Sequence, residues 1–261
     1  MFDRHALVRR PSPRLAEGLI THIERSAEVD VELAQRQWEG YVAAFRDAGW
    51  STHEVAAAPD CPDSVFVEDT VVVYGDLAVV CRPGADERWP EIAAAEDAVR
   101  AHRYRVVRIE APGTLDGGDV LKHDGTVWVG VGGRTNAEGV AQLRTHLEQF
   151  GADVVAVPVT KALHLKSAVT ALPDGTIIGW APVVDDPSVW GERFVAVPEE
   201  PGSHVVLLED DVLLMSSAAP YTAKAFERRS YRVVAVDISE FEKLEGCVTC
   251  LSVRLRSRPG A

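Results

Sequence analysis

Sulfur is scarce in this chain: four cysteines and two methionines in 261 residues. So few thiols over such a length make no disulfide framework, which excludes a small cystine-stapled fold. No run approaches the ~20 consecutive apolar residues needed to cross a bilayer. Basic residues are also in deficit, with 27 Lys and Arg against 40 Asp and Glu and a formal net charge of −13. Such a surface repels nucleic acid and anionic membrane, so neither is an expected partner. An acidic field favours a small cationic ligand, although acidity alone more often signifies only solubility. No Ser/Gly linker or block of like charge divides the chain, and the patch Pro198-Glu199-Glu200-Pro201 is short enough for an ordinary loop. One domain over residues 1–261 is expected. The start Met1-Phe2-Asp3-Arg4-His5 has no apolar stretch behind a basic segment, so no signal peptide is expected and a reducing cytoplasm is.

What is present is a degenerate repeat, on a composition (46% hydrophobic) that supports a buried core. The pattern predicts a strand over Phe66–Val73, the turn Tyr74-Gly75-Asp76, a strand over Leu77–Cys81, a helix over Glu91–His102 and a strand over Arg105–Ile109. The order returns as Asp119–Lys122, Asp124-Gly125, Thr126–Val131, a helix over Asn136–Phe150, and Val154–Val157. A third pass gives Ser167–Leu172, Asp174-Gly175, Thr176–Trp180, a short helix around Pro187–Arg193, and Phe194–Val197. The fourth gives Val205–Leu208, Val212–Met215, a helix over Tyr221–Arg229 and Arg232–Val236. Asp-Gly between β-rich runs is a strong hairpin signal. Asp76, Asp124 and Asp174 recur about every 50 residues, a period of repeated supersecondary units, and Asp210 follows sooner. The run Ala6–Val8, the helix Val31–Asp47 and the final run Cys247–Leu255 complete a fifth unit only if the two ends of the chain meet. Joining them removes exposed sheet edges. The expected fold is therefore α/β, a closed five-bladed propeller of ββαβ units with pseudo-fivefold symmetry.

Chemistry-bearing residues recur at the same point of successive units. Glu68-Asp69, Asp116-Gly117-Gly118-Asp119, His164 and Cys250 all lie at or beside the start of a leading strand. In a closed array those starts gather at the axis. A thiol, an imidazole and several carboxylates meeting there suit attack on a cationic, carbon-centred electrophile, with the carboxylates holding the cation. That combination points to a guanidine-cleaving hydrolase. Gly117-Gly118 is expected to let backbone approach closely and to relax φ.

Leu115-Asp116-Gly117-Gly118-Asp119-Val120, Arg134-Thr135-Asn136, Leu163-His164-Leu165-Lys166-Ser167 and Thr249-Cys250-Leu251-Ser252-Val253, with the stretch Asp63 to Asp69 and Arg82-Pro83-Gly84, resemble the dimethylarginine dimethylaminohydrolases. The matches run in order across essentially the whole chain. That family belongs to the guanidino-group-modifying, or pentein, superfamily of five-bladed α/β propellers. The resemblance implies hydrolysis of Nω,Nω-dimethyl- or Nω-methyl-L-arginine to L-citrulline, with a methylated arginine as the cationic small-molecule partner. It implies Cys250 as nucleophile, His164 as general acid/base, and Asp116 both orienting His164 and contacting the guanidinium. Asp69 would contact the guanidinium; Asp63 and the Leu15 carbonyl would take the α-amine. Arg82 and Arg134 would bind the α-carboxylate, with Glu68 orienting Arg82, and Leu244 would offer a backbone contact where relatives often carry valine. No metal or organic cofactor is implied, and a homodimer is left open.

Blander readings exist for each residue. Cys247 and Cys250 form C-x-x-C, a pattern of redox pairs and half zinc sites, but a strand pattern follows instead of a helix and no second C-x-x-C exists. A lone buried cysteine or a histidine between leucines is ordinarily core, and Asp-Gly-Gly-Asp is ordinarily a turn. The remaining histidines, His5, His22, His53, His102, His123, His146 and His204, receive no role. Two alternative functions stand beside the leading one. The first is arginine deiminase-like release of ammonia, whose enzymes are usually longer chains. The second is a non-catalytic propeller module, like ribosome anti-association factors, which would have no need of this residue set.

Overall fold

The computed structural model describes residues 4–24 and 27–256. Along the chain, strand β1 (His5–Val8) leads to helix α1 (Val31–Asp47) and strand β2 (Ser51–Glu54). Asp30 caps α1 by accepting the Leu33 N–H, and Ala34, Trp38, Tyr41, Val42 and Phe45 recur at helical spacing to bury one face. The next unit is β3 (Val71–Tyr74), β4 (Leu77–Val80), α2 (Ile92–Ala101) and β5 (Arg105–Arg108). Then come β6 (Val120–His123), β7 (Thr126–Val131), α3 (Ala137–Leu147) and β8 (Asp153–Pro158). Asp124 and Gly125 between β6 and β7 have φ of 45° and 78°, the pair of positive values that a tight primed hairpin turn requires. Helix α4 (Leu165–Ala168) precedes β9 (Val169–Ala171) and β10 (Ile177–Gly179). Short 3₁₀ turns, not an α-helix, connect β10 to β11 (Phe194–Ala196). The last full unit is β12 (Val206–Glu209), β13 (Val212–Ser216), α5 (Pro220–Arg228) and β14 (Arg232–Val236), followed by α6 (Ser239–Glu242) and β15 (Val253–Leu255).

These strands form five three-stranded sheets. In each, the middle strand pairs antiparallel with the leading strand and parallel with the third, as β4 does with β3 and β5. The fifth sheet has the order β15-β1-β2, with His5 opposite Leu255, so the end of the chain supplies the leading strand of the unit begun at its start. The five-unit α/β expectation is met, and closure occurs where expected. Five apolar clusters lie between neighbouring units; the one joining the closing sheet to α2 holds Leu7, Val253, Leu255, Ala95 and Val99.

Three predicted strands begin too early. Residues 66–70 hold the 3₁₀ turn Val67–Thr70 instead of a strand, Leu165–Ala168 is α4, and a turn occupies 248–251 ahead of β15. Apolar side chains there read as strand because both faces are buried, yet the backbone turns at the axis. Strand β2 was not expected at all, since Ser-Thr-His-Glu carries no apolar alternation.

Candidate active site

Short turns bring one side chain or more from successive units to the axis, each just ahead of a leading strand. They are tied in a chain of hydrogen bonds. Gly118 N–H donates to Asp69 Oδ1 at 2.8 Å, Leu165 N–H to Asp119 Oδ1 at 2.9 Å, and Glu68 N–H to the Cys250 carbonyl at 3.1 Å. Space, not φ, explains the two glycines. A Cβ on Gly117 would stand 2.0 Å from the Glu68 carbonyl oxygen, and one on Gly118 would stand 2.6 Å from both Asp69 Oδ1 and His164 Nδ1. Neither glycine is among those with positive φ, so the expected relaxation of φ does not apply.

His164 is buried, with Nε2 3.0 Å from Asp116 Oδ2 and Nδ1 3.8 Å from Asp69 Oδ1. Asp116 is itself fixed: its Oδ1 accepts the Gly84 N–H at 2.9 Å and its own N–H donates to Thr135 Oγ1 at 3.1 Å. Burial pushes the imidazole down, but Asp69, Asp119 and Asp116 outweigh it and raise His164 to about 9. Burial pushes Asp69 up, while His164 and the paired Arg88 hold it below the usual carboxylate range. Asp119, desolvated and only partly relieved by His164 and Thr135, rises to about 6.

Cys250 is buried with its Sγ 3.3 Å from that of Cys247. That contact, burial, and the charges of Glu68 and Asp69 push the Cys250 thiol well above its ordinary value. With its pKa raised so far, Cys250 is held as a thiol at neutral pH unless a cation is brought beside it.

A cavity of about 20 Å³ lies where these groups meet, lined by Asp63, Asp69, Arg88, Arg134, His164 and Cys250 among others. The segment at 19–22 lies over it. Leu19 N–H donates to both Asp63 oxygens at 3.2 Å, and Arg134 Nη2 donates to Thr21 Oγ1 at 3.3 Å. Glu245 accepts the N–H groups of Thr21 and His22 at 2.6 and 2.7 Å. Its φ of 60° is left-handed, at a cost of about 1–2 kcal/mol that the two charge-assisted bonds offset.

The structure therefore brings together Asp63, Asp69, Arg134, His164, Leu244 and Cys250, with Asp116 behind His164. Three anticipated residues lie elsewhere. The Leu15 carbonyl accepts the Gly18 N–H, and its side chain is buried in the core against α1. Arg82 stacks 4.5 Å over Trp89 and donates to the Gly113 carbonyl, so it does not reach the cavity. Glu68 does not orient Arg82; its Oε1 pairs with Lys166 and Arg254 on the far side of the turn. Residues not anticipated are Leu19, Glu245 and above all Arg88. Arg88 is buried and donates to Asp69, Glu91 and the carbonyls of Asp63 and Phe66. Its only signal in sequence was a second arginine six residues after Arg82, and nothing local decides which one turns inward.

Asp69, Asp116 and His164 bring ligand atoms within 4.8 Å of one another, a spacing a metal could use. Their oxygens already serve Arg88, Gly118, Gly84 and the imidazole, which favours an acid/base role. The arrangement can hold a planar cation beside a thiol and move protons at one imidazole.

No family model matches the chain. Among curated proteins it is 60% identical over 256 residues to the N(G),N(G)-dimethylarginine dimethylaminohydrolase of Streptomyces coelicolor, covering 98% of each chain. It is 32% identical to the enzyme of that name from Pseudomonas aeruginosa, covering 96% of this chain and 99% of the other. Among solved structures, the P. aeruginosa protein in a cysteine-to-serine form complexed with citrulline superimposes with a TM-score of 0.89 at 31% identity, covering 98% of this chain and all of the other. A histidine-to-glycine form of a dimethylarginine dimethylaminohydrolase, an adduct with S-methyl-L-thiocitrulline, gives a TM-score of 0.90 with the same coverage. With likeness of this degree over nearly the full length, and with the motif residues gathered at one axis, the chain belongs to the dimethylarginine dimethylaminohydrolase family.

Proposed function

We propose that this protein hydrolyses Nω,Nω-dimethyl-L-arginine and Nω-methyl-L-arginine to L-citrulline and dimethylamine or methylamine, through a covalent thiouronium on Cys250. The observation that carries it is His164 held between Asp116 and Asp69 at the cavity that Cys250 also lines. A guanidinium seated against Asp69 adds a positive charge beside Sγ, which offsets the charges that keep Cys250 a thiol. As the cation enters, the thiol releases its proton to solvent and the thiolate attacks the guanidinium carbon to give a tetrahedral adduct. His164, charged at rest because it is raised to about 9, protonates the departing amine. The neutral imidazole then takes a proton from water, the resulting hydroxide attacks the thiouronium carbon, and the C–S bond breaks to leave the ureido group of citrulline.

In this reading Arg134, at the cavity beside Asp63, takes the substrate α-carboxylate, and Asp63 takes the α-amine. The carbonyl expected of Leu15 belongs more naturally to Leu19, which lines the cavity, and the second arginine is Arg88 instead of Arg82. Leu244 supplies apolar surface. We also read the whole chain as one catalytic domain, because β1 and β15 share a sheet and no cut leaves the ring closed. Four free cysteines fit a reducing cytoplasm. No helix among the described residues is long and apolar enough to cross a membrane.

Citrulline formation from dimethylarginine, methylarginine and arginine tests the proposal. Both methylated substrates should be preferred, since a pocket built for arginine places an acceptor where methyl removes a donor. A kcat/KM for arginine equal to or above theirs would make the enzyme a deiminase with the same residues in the same roles.

A further inference from the structure

Three histidines with no part in this chemistry converge at the closure of the ring. His5 lies on β1, His53 on β2, and His102 follows the last turn of α2. In the parallel β1–β2 pair, His53 stands opposite Leu7, so His5, two residues back, shares its face of the sheet. His102 is placed by its backbone N–H to the Ala98 carbonyl at 3.2 Å, and α2 is packed on the closing sheet through Ala95, Val99, Leu7 and Leu255. Core packing thus sets where all three rings can go.

One ring nitrogen of each lies within 4.8 Å of the others, and His5 Nδ1 is 2.9 Å from His53 Nε2. The ring centroids are 4.3 to 4.9 Å apart, with planes tilted by 55° to 85°, so the rings are tilted against one another and do not stack. Ligand nitrogens around a tetrahedral zinc, at bonds of 2.0–2.1 Å, lie roughly 3.3–3.4 Å from one another. The observed triangle reaches that with side-chain adjustments on the order of 1 Å, available to rings that are half-buried or exposed. The 2.9 Å contact has one facing nitrogen accept, so that nitrogen carries no proton, which is the state a ligand needs. Three imidazoles suit zinc, copper or nickel, and do not suit calcium or magnesium.

We propose that His5, His53 and His102 bind a borderline divalent cation, Zn²⁺ or a neighbour in the series, through three imidazoles. The ion clips the sheet shared by the two chain ends to α2 of the next unit, so it fastens the ring where it closes. This site is separate from Asp69, Asp116 and His164, the other cluster with ligand spacing among the described residues.

The test is a calorimetric titration of metal-free protein with Zn²⁺, done in a Cys250→Ser background so that the active-site thiol takes no metal. One equivalent should bind, with Kd tighter than about 100 µM. His53→Ala and His102→Ala, each at or near the surface, should weaken that equivalent at least about tenfold. His164→Asn should leave it intact. Because an ion that binds only the native state must raise stability, Zn²⁺ should lift Tm in the Cys250→Ser protein and not in its His53→Ala derivative. The proposal is overturned if no equivalent binds at that strength, if it survives loss of His53, or if it disappears with His164 alone.

Discussion

The two ends of the propeller axis differ in how they balance charge. At one end, the small cavity beside His164 and Cys250 mixes both signs, with Asp63, Asp69 and Glu245 set against Arg88 and Arg134. At the other, a channel of about 350 Å³ is lined by Lys122, Lys166, Arg254 and Arg256, and among the described residues lining it Glu68 is the one carboxylate. The divider is a single turn. Asp69 faces His164, while its neighbour Glu68 accepts from Lys166 Nζ at 2.6 Å and Arg254 Nη2 at 2.7 Å. The basic end is satisfied chiefly by carbonyls, as when Lys122 donates to Val73 and Arg256 to Leu207. Burial, followed by repulsion from Lys166 and Arg254, lowers Lys122 to about 7. The lesson concerns scale. A net charge of −13 favours a cation in general, but only the local arrangement says which mouth of the axis receives it.

Removal of the nucleophile from the cavity beside His164 should have the largest effect. Cys250→Ser should abolish citrulline formation, whereas Cys247→Ser should keep most of it, because only Cys250 has a carbonyl tied to the Glu68 turn and a place at the cavity. Equal loss in two folded variants would point to a redox pair and defeat the assignment.

His164 comes next. His164→Gly should allow attack by Cys250 but leave no carrier for the later proton, so mass spectrometry should detect an adduct on Cys250 after substrate is added. Turnover within a few-fold of the parent would make His164 a core residue. In the parent, kcat/KM should fall as pH rises through about 9, where the acid is lost. The sign for stability is the same. A raised imidazole stabilises the fold fully below its unfolded pKa of ~6.5, and that contribution is lost as pH climbs toward about 9. Asp69→Asn removes the foremost of the raising charges and should move the alkaline limb of kcat/KM toward neutrality; an unmoved limb would assign it to another group.

The divider itself should matter mainly to stability. Glu68→Gln leaves Lys166 and Arg254 facing each other without their carboxylate, and breaking a buried pair in this way costs about 3–5 kcal/mol. A denaturant midpoint that implies less than about 1 kcal/mol would show that water, not Glu68, neutralises the basic end.

The fold was legible in the chain because its signal is local and repeated. Asp124-Gly125 and Asp174-Gly175 mark hairpins, and Val31–Asp47 carries its own helical stripe and cap. Ring closure could be inferred because unpaired runs at the two ends had nowhere else to go. The site was legible where motif residues sit on the turns that the repeat brings to the axis, as with Asp116, His164 and Cys250. What failed was any choice that depends on the path of a loop. Arg82 and Arg88 share one irregular stretch, and whether an arginine stacks on Trp89 or enters the core beside Asp69 depends on contacts with Glu91, Asp63 and Phe66. Likewise His5, His53 and His102 look unrelated until the closing sheet and α2 meet.

The smallest expected effects concern which arginines meet the substrate at the cavity beside His164. Arg134 lines the cavity and holds Thr21 through one exposed contact of 3.3 Å, so its guanidinium can turn to a substrate carboxylate at little cost. Losing a charged hydrogen-bonded pairing costs about 1.5–3 kcal/mol, so Arg134→Ala should lower affinity for methylated arginines roughly ten- to a hundredfold. Substrates without the α-carboxylate should scarcely change. Arg82, stacked on Trp89 outside the cavity, makes a different prediction. Arg82→Ala gives up a cation–π contact worth about 0.5–1 kcal/mol where exposed, so it should cost a little stability and leave KM within about twofold. Measuring KM for both variants with methylarginine and with a decarboxylated analogue separates the two. If Arg82→Ala weakens the carboxylate-bearing substrate as strongly as Arg134→Ala does, the stretch at 82–91 rearranges when substrate enters and Arg82 swings into the site.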